Sequence, residues 1–187
     1  MTRNLNDFEF PVLLDVLRLG MKVGTLNSKN DYISFVEAAD ARRLPQEVKV
    51  VIDQAYATNT IPRGSDSFVD DQYKTATSRI AADKAEIPAL ERDASAASAQ
   101  GRTVMAAGDV FLSYNEYAKA ATFYEKAVGM AGVDRDMALT RLGIALIGKG
   151  DTEAAREALA KVEGVRLPVA RLWSAYAAQQ GAAATGG

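Results

Sequence analysis

An all-α array of antiparallel helix pairs is the fold class this 187-residue sequence predicts, and three observations carry it. Apolar residues recur three and four apart along nearly the whole chain, the period of a helix face. Alternating runs of Val, Ile, Thr and aromatics bounded by turn residues, which strands need, are scarce. The second half also matches itself at a fixed offset, with Gly143 falling 35 residues after Gly108. A content of 48% hydrophobic and 25% charged residues is that of an ordinary globular chain.

The elements follow in order. Pro11, at a position favoured for helix starts, opens a helix to about Val23, with Phe10, Leu13, Leu14, Leu17 and Met21 as its apolar stripe and Gly24 as its C-terminal stop. A second helix is expected from about Asp31 to Arg42. A third runs from Pro45 to Thr58, again with Pro in the first turn. Pro62 and Gly64 mark a turn. Ser65 and Asp66 offer caps for a helix through Phe68, Tyr73, Ala76 and Ile80, which Pro88 either kinks or replaces with a new one reaching Ala99. Helices are then expected near 102–114, 117–130, 136–148, 151–162 and 168–180. The Gly- and Ala-rich tail 181–187 has no face to bury and is expected to be disordered.

At the 35-residue offset, Val104-x-x-Ala107-Gly108-x-x-Phe111 falls on Leu139-x-x-Leu142-Gly143-x-x-Leu146. Ala120-x-x-x-Tyr124-x-x-Ala127 falls on Ala155-x-x-x-Leu159-x-x-Val162. The two glycines let the second helix of each pair come close, Ala120 and Ala155 are the small residues opposite, and Phe111, Tyr117 and Tyr124 fill the rest. This pattern resembles the tetratricopeptide repeat, of bacterial type, which has a period of about 34 residues. Asn115 in the first turn and the missing proline at the end of the first block depart from it. Tyr32, Phe35, Val36 and Ala39, followed by Val48, Ile52, Ala55 and Pro62, extend the frame backwards. The organisation expected is therefore an N-terminal helix over 1–28, a degenerate repeat over 29–62 and an irregular connector or degenerate repeat over 63–100. Repeats over 101–135 and 136–168, a capping helix over 169–180 and the tail complete it. The chain reads as a fragment or a short array.

Composition removes several chemistries. With no His and no Cys, imidazole and thiolate metal sites, Cys nucleophiles and His acid–base catalysis are absent from the chain. Its 22 basic and 24 acidic residues leave a net charge of −2, which lacks the phosphate-seeking excess that nucleic-acid binding rests on. No apolar run approaches the ~18 residues of a membrane span. Between cytoplasmic and periplasmic settings the sequence does not choose.

Four features invite a chemical reading. Gly143-Ile-Ala-Leu-Ile-Gly148-Lys149-Gly150 falls one hydroxyl short of a phosphate-binding loop, but the repeat explains Gly143 and Gly150 without a ligand. Asp70–Asp71 and the group Asp83, Glu86, Glu91 and Asp93 alternate with Lys74, Arg79, Lys84 and Arg92, the pattern of a solvated helix face. Trp173, the one tryptophan, has the spacing from Leu172 and Tyr176 of a residue closing a core, and Arg42–Arg43 that of charges at a helix C-terminus. No catalytic, cofactor or metal residue is assigned.

What the resemblance implies is a right-handed superhelix whose concave groove is lined by the first helix of each pair. Family positions that face such a groove fall on Asn30, Ile33, Glu37 and Asp40, on Arg102, Met105, Asp109 and Leu112, and on Met137, Thr140, Ile144 and Ile147, with Arg141 alongside. Glu37, Asp40, Arg102, Met105, Asp109, Leu112, Thr140, Arg141 and Ile144 are the candidate partner-binding set. The function implied is a non-enzymatic scaffold that holds a basic or amphipathic protein segment. The rival readings are a structural part of a longer repeat protein and an accessory domain of an enzyme. In a short array the same residues can instead pack on each other.

Overall fold

In the computed structural model, residues 10–185 are described. The order is α1 (Phe10–Val23), α2 (Lys29–Ala39), α3 (Pro45–Ala57), α4 (Ser67–Ser95), α5 (Gly101–Ser113), α6 (Tyr117–Val128), α7 (Arg135–Lys149), α8 (Thr152–Leu159), a 3-10 turn (Gly164–Arg166) and α9 (Leu167–Thr185). Every regular element among the described residues is helical. No described helix is long and apolar enough to cross a membrane. The chain divides into two compact units between Glu86 and Ile87.

In the first unit α1 packs on α2 and α2 on α3. α1 stops as its sequence dictates: Gly24 takes φ of 71°, and the Thr25 N–H reaches back to the Gly20 carbonyl at 2.9 Å. Its stripe residues Leu13, Leu14 and Leu17 are buried, with Met21 partly so. The Phe10 side chain lies outside the described residues. Tyr32, Phe35 and Val36 of α2 meet Val48, Val51, Ile52 and Ala55 of α3 in the same core.

Several boundaries differ from expectation, among them the end of α8, at Leu159 instead of near 162. α2 starts at Lys29, two residues early, because Ser28 and Asp31 close a reciprocal cap. It ends at Ala39, since Asp40 adopts φ of 60°. The 63–100 stretch is dominated by one 29-residue helix that carries Pro88 in its interior, so Pro88 does not open a new helix.

In the second unit each helix packs on the next from α5 to α9, and α9 returns to α7. The 35-residue offset is present in the packing. A Cβ at Gly108 would lie 2.6 Å from the Tyr124 ring, and one at Gly143 would lie 2.5 Å from Leu159. Ala120 and Ala155 are fully buried. The turns repeat as well: Asn115 (φ 60°) corresponds to Gly150 (φ 91°). The bond from the Glu116 N–H to the Phe111 carbonyl corresponds to that from Asp151 to Leu146, both at 2.9 Å. Phe111 and Phe123 stack at 5.5 Å. α9 continues through Gly181 to Thr185, which corrects the expectation of an unstructured tail for these five residues; 186–187 lie outside the described residues.

Candidate functional site

The nine candidate residues fall into two sets, each within its own unit. Glu37 and Asp40 belong to the first and are exposed. Asp40 is held by its own turn, where its carboxylate accepts the Arg42 N–H at 2.9 Å. In the second unit Arg102 is exposed, at the start of α5. The other six, Met105, Asp109, Leu112, Thr140, Arg141 and Ile144, are buried. The expectation that these six line an open face is therefore corrected.

The reason is chemical for Asp109 and Arg141. One guanidinium nitrogen of Arg141 donates to both carboxylate oxygens of Asp109, at 2.8 and 2.9 Å. The Tyr124 hydroxyl donates to the first of those oxygens at 2.7 Å. A carboxylate on α5 is thus tied to α6 and α7 at once. Removing one partner of such a buried pair leaves a charge uncompensated and costs about 3–5 kcal/mol. The Asp109 carboxylate is thus engaged inside the second unit by Arg141 and Tyr124. Thr140 turns its hydroxyl back onto the Asp136 carbonyl at 2.7 Å.

Sequence reasoning missed two other clusters, both in the first unit. Arg18 forks onto the two Glu47 oxygens at 2.7 Å and reaches Asp15 at 3.0 Å, joining α1 to α3. Asp15 is fully buried. A polar residue within an apolar stripe was the available signal. The second cluster gathers at the α3–α4 turn. Tyr56 and Tyr73 meet edge to face at 5.5 Å, and Arg63 lies 4.2 Å over the Tyr56 ring. Tyr56 donates to Asp70 at 2.7 Å; burial and that bond raise its hydroxyl pKa above the ordinary tyrosine value. Lys49 bonds to Asp53, which raises the lysine pKa. Lys49 and Asp53 are an i,i+4 pair on α3 that the sequence shows locally, whereas Tyr56 lies 14 positions from Asp70 and no local pattern links those two.

The remaining motifs resolve into packing. Gly143 and Gly148 lie inside α7, under Leu159 and the Tyr117 ring. Gly150 ends that helix and Lys149 pairs with Asp151 at 3.8 Å, so no phosphate-cradling loop exists there. Asn115, Glu116, Tyr117, Ala118, Lys119 and Lys149 surround a surface depression of about 390 Å³. Lys119 at its edge pairs with Glu91 at 3.0 Å and Glu116 at 3.5 Å, and the Glu91 bond leads in raising its pKa.

Among the described residues no three carboxylates come together in a way that could hold a metal ion. Trp173 is buried against Tyr176, and Arg43 donates to the Ala38 and Ala39 carbonyls at the end of α2. No family model, curated protein or solved structure matches this chain.

Proposed function

We propose that the chain is a non-enzymatic, tetratricopeptide-like scaffold that binds a protein segment. The observation that supports this reading is the recurrence of one packing scheme at 35 residues: aromatic or leucine over glycine, alanine buried opposite, and a left-handed residue in the turn. Such units bury one face against the next and leave side chains of successive first helices in register, which is what an extended peptide site requires. The lack of His and Cys narrows the nucleophiles and proton carriers an enzyme would need.

The partner in this reading is an amphipathic segment, its basic residues drawn to Glu37 and Asp40. A segment that engages Met105, Leu112 or Ile144 has to displace what covers them in the free chain. Truncating these buried residues tests core packing and binding together, so exposed residues make the cleaner test.

The experiment is fluorescence anisotropy with a panel of basic, acidic and neutral amphipathic peptides, beside turnover assays with ester, phosphoester and nucleotide substrates. Saturable binding of basic peptides, weakened at least threefold by Glu37→Lys with an unchanged melting temperature, is the expected result. Substrate turnover by the purified chain, abolished by a point substitution, would overturn the reading.

A further inference from the structure

We propose that Pro88 makes α4 a hinge between the two compact units. The chain divides between Glu86 and Ile87, one residue before this proline, and α4 runs unbroken across the division from Ser67 to Ser95. Without Cys, no disulfide can tie the units, so the backbone of α4 is their one covalent link. A proline inside a helix has no N–H to give to the carbonyl four residues back, and its ring crowds that carbonyl, so the helix bends there at lower cost than elsewhere.

The surroundings of Pro88 do little to stiffen it. Ala81, Ala82, Lys84, Ala85, Glu86, Pro88 and Ala89 are exposed, and Ile80, Ile87 and Leu90 are only partly buried. The fully buried positions of α4 are Val69 and Ala76 near its start and Ala94 near its end. Those ends are fastened. Asp70 receives the Tyr56 hydroxyl at one, and the Lys126 ammonium donates to the Ala94 carbonyl at 2.7 Å at the other. Polar bonds and burial thus anchor both ends of a helix whose weakest backbone position lies in the exposed stretch between them. Local opening favours segments of this kind, with few buried apolar contacts and exposed backbone bonds. The hinge rests on the backbone chemistry of Pro88 and is independent of the scaffold reading.

The absence of native cysteine makes the test direct. Spin labels on Arg42→Cys and Glu125→Cys, exposed residues of different units, report the spread of distances by pulsed electron–electron resonance. A pair on Glu125→Cys and Glu157→Cys, both in the second unit, supplies the rigid reference. The expected result is a cross-unit distribution at least twice as wide as the reference. It should narrow toward the reference in Pro88→Ala, which restores the donor, and stay wide in Pro88→Gly, with far-ultraviolet dichroism confirming the fold of each variant. A wild-type distribution as narrow as the reference, or a width that Pro88→Ala leaves unchanged, would overturn the hinge.

Discussion

Tyr56 illustrates how the surroundings of one side chain give it a pH signature. Partial burial favours its neutral form, and the bond to Asp70 adds to this, so its folded pKa stands above the ordinary value near 10. A group whose folded pKa is raised contributes stability that is complete below the unfolded pKa and fades as pH climbs above it. Wild type should therefore lose more stability than Tyr56→Phe between pH 8 and pH 11. Solvent access keeps the difference to about 1 kcal/mol or less. Urea midpoints at the two pH values measure it, and equal losses in both proteins would show that Tyr56 ionises as freely as in the unfolded chain. Asp109 gives the contrasting lesson at this scale. The repeat frame places it where a groove residue belongs, yet its partner Arg141 lies 32 positions away, and no sequence spacing announces that they meet.

At the scale of elements, most helix limits were written in local chemistry. Pro11 and Pro45 stand at helix starts, and Gly24 and Gly150 take the left-handed backbone that ends α1 and α7. The early start of α2 was legible too, in Ser28-Lys29-Asn30-Asp31, a capping box with Asp in the usual place of Glu. Ser28→Ala removes the acceptor for the Asp31 N–H and should cost about 1 kcal/mol. A fall of a few degrees in melting temperature, with little change for the exposed control Lys74→Ala, is the expected reading. The C-terminal turns of α9 were not legible by burial, because Gly181-Ala-Ala-Ala-Thr185 has no apolar stripe. Alanine extends a helix already begun at almost no entropic cost, and propensity alone accounts for those turns.

For the chain as a whole, the sequence disclosed the helical class and the repeated packing of its second half, because both rest on periodicity. It did not disclose the Arg18–Glu47 and Tyr56–Asp70 links, nor the cover over Met105 and Ile144, because these depend on residues brought together only by the fold. The repeat itself makes a further demand. If Gly108 and Gly143 play one role in two copies of a unit, equal insults at the two should have similar effects. Gly108→Leu forces a side chain into the Tyr124 ring, and Gly143→Leu forces one into Leu159. Each should destabilise by roughly 1–3 kcal/mol through overpacking. The controls Gly132→Leu and Gly150→Leu meet no neighbouring atoms but occupy left-handed backbone, so their cost comes from strain rather than from packing. Pairing each overpacked variant with its complement separates the two causes. Leu159→Ala should recover part of the loss in Gly143→Leu and nothing in Gly150→Leu, a coupling that a double-mutant cycle in urea reads directly. Recovery by Tyr124→Ala in Gly108→Leu should follow the same pattern. A pair of cycles with no coupling at either glycine would show that the 35-residue match in sequence is not a match in energy.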